Sequence, residues 1–154
     1  MASIPLIPRQ MRIDDLPWVM AVELESYPFP WTEGIFYDCI HVGYQCQIFD
    51  LNQEPAGYAI FSIAAGEAHI LNLCVKPIVQ RKGIGRSMLQ FVIQTATLQR
   101  AENLFLEVRQ SNRAAIQLYD AMGFHQIGVR VGYYPTKKGN EDAIVMAKAL
   151  FLSP

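Results

Sequence analysis

The sequence predicts a mixed α/β fold. It is expected as one domain over residues 1–154, a central mixed, twisted sheet of about six to seven strands with helices on both faces. Three observations carry this expectation. A chain of 154 residues suits one domain with a real core. Consecutive strand patterns divided by turn clusters in the first half imply antiparallel pairing. A strand–helix–strand run in the second half requires a crossover, and hence a parallel pair.

Pro5 to Ile13 is apolar and extended in character. Asp14 and Asp15 offer an N-cap and Pro17 suits a first helical turn, so a helix runs to about Glu25. Pro28-Phe29-Pro30-Trp31 forbids its continuation, and Thr32 can cap a second, short helix. Tyr44 to Leu51 alternates loosely and ends at the turn cluster Asn52-Gln53-Glu54-Pro55. Gly57 to Ala65 and Ala68 to Val75 read as strands, closed by Pro77. Gly83 and Gly85 precede a long helix in which Leu89, Val92, Ile93 and Ala96 form one apolar stripe. Asn103 to Arg109 is strand-like. Ser111 or Asn112 caps the next helix, where Ala115, Leu118, Tyr119 and Met122 repeat the helical spacing and Gly123 ends it. Phe124 to Tyr133 and Ala143 to Ala147 finish the chain as strands.

Hydrophobic residues make up 51% and charged residues 18%, which excludes a disordered chain. Thirteen Lys+Arg against 14 Asp+Glu give a formal charge of -1, without the basic excess of a dedicated nucleic-acid binder. Cys39, Cys46 and Cys74 have neither metal-like nor disulfide-framework spacing, so a reducing compartment fits. The start has no secretory pattern, and no apolar run approaches the roughly 20 residues of a membrane span. A soluble cytoplasmic domain, with no membrane or direct nucleic-acid partner, is expected.

The chemistry-bearing stretch runs from Leu71 to Arg86. An apolar strand enters a loop, Gln80-Arg81-Lys82-Gly83-Ile84-Gly85-Arg86, that opens a helix. Glycines admit close backbone approach, and free N–H groups at a helix start favour an anion such as a pyrophosphate. A solvated basic turn is the plainer reading. Gly85-Arg86-Ser87 lacks the lysine of a P-loop, and Gly83-Ile84-Gly85-Arg86-Ser87-Met88 ends too bulky for a dinucleotide fingerprint, although Glu102 lies near the place of its ribose acid.

The pattern Gln/Arg-x-x-Gly-x-Gly/Ala is met by Gln80 to Gly85 and resembles the pyrophosphate loop of the GCN5-related N-acetyltransferases. Further segments carry the likeness: Leu106 to Asn112, Ala115 to Tyr119, Gly123-Phe124, Tyr133-Tyr134-Pro135, Glu141-Asp142-Ala143 and Phe29 to Thr32. These resemble the subgroup of bacterial ribosomal-protein-alanine N-acetyltransferases, with Asn140 a departure where arginine is commoner. The resemblance implies acetyl-CoA as cosubstrate and, as partner, the N-terminal alanine of a small-subunit ribosomal protein. It implies that Arg81, Lys82, Gly83, Ile84, Gly85 and Arg86 hold the pyrophosphate. It also implies that Leu73, Cys74 and Val75 pair with the pantetheine arm on a strand splayed from its neighbour, and that Asn112 touches the cofactor. A plain central strand and a simple N-cap are the alternatives for these last residues.

The reaction needs a neutral amine, a donor for the tetrahedral oxyanion and a proton for the thiolate. An N-terminal amine titrates near about 7.7–8.0 against about 10.4 for lysine, so a single carboxylate can suffice as base. Glu107 is a charge in an otherwise apolar strand, where burial would raise its pKa. The residues alone also allow a solvated Glu107 or one paired with Arg109. Spacing makes Tyr119 an ordinary core tyrosine. The resemblance instead implies Glu107 as proton acceptor and Tyr119 as the acid that protonates the thiolate. Tyr133-Tyr134-Pro135, with the loop through Gly139, resembles a peptide-cleft lining, or else a hairpin turn with aromatic packing.

His69 and Cys74 fall on opposite faces of their strand, against a Cys–His nucleophile and for a buried thiol. His41 and His125 read as structural or surface groups. Glu67 and His69 lack an evident third ligand, so no metal is expected. An acetyltransferase acting on lysines or a small amine, and a non-catalytic CoA or nucleotide-binding module, remain open alternatives.

Overall fold

The computed structural model describes residues 5–80 and 83–151. Seven strands and four α-helices appear among them: β1 (Leu6–Gln10), α1 (Leu16–Ser26), α2 (Glu33–His41), β2 (Gln45–Leu51), β3 (Glu54–Ala64), β4 (Glu67–Val75), α3 (Ile84–Leu98), β5 (Asn103–Arg109), α4 (Arg113–Ala121), β6 (His125–Thr136) and β7 (Gly139–Ala149). This is the element order read from the sequence. The strands hydrogen-bond in the order β1-β2-β3-β4-β5-β7-β6. β4 and β5 run parallel and β1–β2, β2–β3, β5–β7 and β6–β7 antiparallel, so the sheet is mixed as expected.

The chain forms two compact units. One gathers the residues up to Ser62 with Leu71–Val92; the other gathers Ile63–Ile70 with the residues from Ile93 onward.

In the first unit β3 is buried on both faces from Ala56 to Phe61. Its even positions, Tyr58 and Ile60, join Cys46 and Ile48 of β2 in a core with Leu16, Val19 and Val22 of α1 and Phe36 and Cys39 of α2. Its odd face meets α3: a Cβ on Gly57 would lie 2.7 Å from Met88 Sδ and 2.7 Å from the Cys74 carbonyl. The Phe49 and Phe91 rings also meet there, at 5.4 Å. Side-chain alternation thus places helices on both sides of the sheet in this unit. Thr32 caps α2 by accepting from the Ile35 N–H. Asp15 acts differently from a cap: a 3-10 turn, Ile13–Asp15, precedes α1, and the carboxylate accepts from Arg12 N–H at 2.7 Å and from Arg9.

In the second unit Leu104, Leu106 and Val108 of β5 are buried, and the odd positions lie on a half-covered face. Asn112 caps α4 through Ala115 N–H. Gly123 ends that helix at φ +92°, a conformation glycine adopts without strain. The segment read as a loop through Gly139 is mostly ladder. Glycine and charged positions hid its strand character, yet Tyr134 pairs with Glu141 and Thr136 with Gly139.

Candidate active site

Register assembles the site in the second unit. Partners across a ladder share a face, so the odd side of β5 collects side chains from four strands. His69 of β4 pairs with Phe105, Val145 of β7 pairs with Glu107, and Arg130 of β6 pairs with Ala143, itself opposite Arg109. Glu107 is the carboxylate at the centre, its side chain only 15% exposed. His69 Nε2 stands 3.5 Å and Arg130 Nε 3.7 Å from Glu107 Oε1.

Arg109 is paired with Glu141. Its Nη1 donates to Glu141 Oε1 and to the Pro135 carbonyl, each at 2.9 Å, and its guanidinium covers the Tyr134 ring at 4.6 Å. The Ser111 N–H and hydroxyl also donate to Glu141, at 3.2 and 3.0 Å. The hydrogen bond from Arg109 is the largest influence holding the Glu141 carboxyl below its ordinary value. This clamp ties the end of β5 to the β6–β7 tip, where Tyr133 is 49% exposed.

Tyr119 is buried on α4, its ring 5.7 Å from Phe124. Burial, with Tyr134 adding to it, pushes its phenol up to about 12. Burial also pushes Tyr134 up to about 12, with Glu107 the next influence. Arg130 went unseen in the sequence, and the placing of His69 and Tyr134 beside Glu107 was not foreseen. Their signal was the register of a parallel pair with a terminal hairpin.

The first unit holds the other expected residues. Leu73, Cys74 and Val75 lie on β4, where the Leu73 carbonyl accepts from Tyr27 OH at 3.1 Å and the Val75 carbonyl from Gln80 Nε2 at 3.0 Å. The Cys74 thiol is buried, and burial raises its pKa, which fits a structural thiol. Gly83 sits at φ +77° immediately before α3, and Ile84 is buried. Ser87 N–H bonds the Gly83 carbonyl, and Gly85 lies inside the helix. Helix geometry leaves the first N–H groups, those of Ile84, Gly85 and Arg86, without partners further back in the helix. Arg81 and Lys82 lie outside the described residues.

A second missed residue is Glu23 of α1, a buried carboxylate. It accepts from Trp31 N–H at 2.9 Å, Tyr58 OH at 2.5 Å and Asn72 Nδ2 at 3.0 Å. This holds the Phe29-Pro30-Trp31 segment onto β3 and β4 of its unit.

Among the described residues no group of three or more His, Cys, Asp or Glu side chains could hold a metal, and no helix is long and apolar enough to cross a membrane.

The pattern of the acetyltransferase (GNAT) family matches residues 12–124, and the chain belongs to that family. Within it, the chain is 40% identical over 135 residues to the [ribosomal protein bS18]-alanine N-acetyltransferase of Escherichia coli strain K12, covering 86% of this chain and 90% of that protein. It is 38% identical over 133 residues to the protein of that name from Salmonella typhimurium, with the same coverage of 86% and 90%. The crystal structure of the ribosomal-protein-S18-alanine N-acetyltransferase from Escherichia coli superimposes with a TM-score of 0.89 at 35% identity, over 97% of this chain and 96% of that one. Ard1 from Thermoplasma volcanium shares the fold, with a TM-score of 0.87 at 21% identity, over 96% of this chain and 99% of that one.

Proposed function

We propose that this chain transfers an acetyl group from acetyl-CoA to the N-terminal alanine amine of a small-subunit ribosomal protein, by direct attack in a ternary complex. The observation that carries the proposal is Glu107, a largely enclosed carboxylate beside a histidine and an arginine on an otherwise half-apolar strand face. The names of the relatives at 38–40% identity supply the substrate class. The family match, running over residues 12–124, supports reading the chain as a single catalytic domain.

Bound acetyl-CoA would supply an acyl group activated as a thioester. The residues present fit its anionic tail. Gly83 adopts a conformation that strains other residues, the first α3 amides are free of helical partners, and Arg86 is exposed beside them. Arg81 and Lys82 join them as proposed contacts, as does Asn112, whose side chain already caps α4. Leu73 to Val75 offer backbone groups to the pantetheine arm.

Glu107 takes the proton from the incoming amine. Tyr119 stays protonated at neutral pH and donates to the departing sulfur. A free thiolate titrates at about 8.5, below the phenol, so the transfer requires a dry site that destabilises the thiolate more than the phenolate.

The test uses alanine-initiated peptides with free or blocked N-termini, each containing a lysine, incubated with acetyl-CoA and analysed by mass spectrometry. Acetylation of the free α-amine alone is expected. Modification of lysine in the blocked peptide would transfer the assignment to side-chain acetylation, and absence of thiol release would leave a binding module.

A further inference from the structure

Acetyl transfer from a thioester to an ammonium group forms a C–N bond and breaks a C–S bond, and the nitrogen gives up two protons. One ends on the departing thiolate; the other must reach solvent. Glu107 is poorly exposed for that discharge. His69 stands against it, Nε2 to Oε1 3.5 Å, and its own side chain is 34% exposed. That separation is within a small side-chain adjustment of a hydrogen bond.

Resting on the acetyltransferase reading, we propose that His69 is the exit for the surplus proton. The carboxylic O–H of protonated Glu107 breaks as a lone pair on the imidazole nitrogen takes the proton. The imidazole then releases a proton to water, and Glu107 returns to carboxylate for the next turnover. Imidazole suits this because one ring nitrogen accepts while the other carries a proton.

Neither the arginines nor the tyrosine beside the pair offers the same route. Among the described residues, the charged and titratable groups on the strands around it include Glu67 on β4, Arg109 on β5, Arg130, Tyr133 and Tyr134 on β6 and Glu141 on β7. Guanidinium groups do not deprotonate. Arg130 is thus a fixed charge near the carboxylate, and Arg109 is held by Glu141. Tyr134, pushed up to about 12, keeps its proton. His69 acts through Glu107, so it is a positioning residue.

The experiment measures His69→Ala and His69→Gln with acetyl-CoA and an alanine-initiated peptide, at fixed pH and ionic strength, while imidazole buffer is raised. Both variants are expected to lose about tenfold in kcat, with KM for either substrate changed by less than about twofold. Added imidazole is expected to restore the alanine variant and leave the unaltered protein indifferent. Wild-type kcat in either variant, or a loss that buffer does not relieve, would overturn the exit while leaving the acetyltransferase reading intact. An unaltered protein that acetylates no amine would overturn both.

Discussion

At the scale of single residues, the proposed base and the proposed acid sit in different environments. Glu107→Gln removes the proposed proton acceptor, and kcat is expected to fall about 100-fold or more. Tyr119→Phe keeps the ring against Phe124 and removes only the hydroxyl. Turnover is expected to fall about tenfold or more while acetyl-CoA affinity, read by calorimetry, is preserved. Because Tyr119 is pushed up to about 12, kcat is expected to show no alkaline loss from its ionisation between pH 6 and about pH 10. A descending limb inside that range, abolished by Tyr119→Phe, would refute the assignment. Glu23 is the second residue on which much depends. Glu23→Ala strands the Trp31 N–H, Tyr58 hydroxyl and Asn72 amide, and a loss on the order of 3 kcal/mol is expected in urea melts. Glu23→Gln, which keeps an acceptor oxygen, is expected to lose less.

At the scale of elements, the β6–β7 hairpin depends on Glu141. The Arg109, Ser111 and Glu141 clamp secures the tip that carries the exposed Tyr133. Glu141→Ala is expected to raise KM for the peptide several-fold with little change in acetyl-CoA affinity, measured by initial rates. This region also marks where local pattern stops being informative. The β5 strand was legible to its end residues as a short apolar run, and Leu104, Leu106 and Val108 are its buried side. Arg109 shares the strand face of Glu107, which suggested a pair, yet its side chain reaches forward to the β6–β7 hairpin. Likewise His69 approaches Glu107 only through a crossover register. Glu23 carried no local signal, because two of its three donors, Tyr58 and Asn72, come from distant parts of the chain.

At the scale of the whole molecule, acid stability follows from carboxylates held in their charged form. Burial alone would raise Asp15, but hydrogen bonds from Arg9 and the Arg12 N–H bring its net pKa below the ordinary value; Glu141 is lowered by Arg109. Groups depressed on folding contribute stability in full above their unfolded pKa, and it is lost as pH falls through the folded one. Melting temperature is therefore expected to hold down to about pH 5 and to fall below about pH 4, and Asp15→Asn is expected to flatten that descent. The order of elements was readable from end to end, since turns, caps and stripes are local. The strand order β5-β7-β6 and the meeting of four strands around one carboxylate were not, because register is settled by packing across the sheet.

The three cysteines, all reduced and interior, have a practical corollary. Burial pushes the Cys46 thiol up to about 12 and raises Cys39 and Cys74 as well. Alkylating reagents attack the ionised sulfur, so the native chain is slow prey for iodoacetamide, and each sulfur becomes reactive only when its surroundings open. The chain thus carries its own clock for unfolding, with no probe to be engineered in.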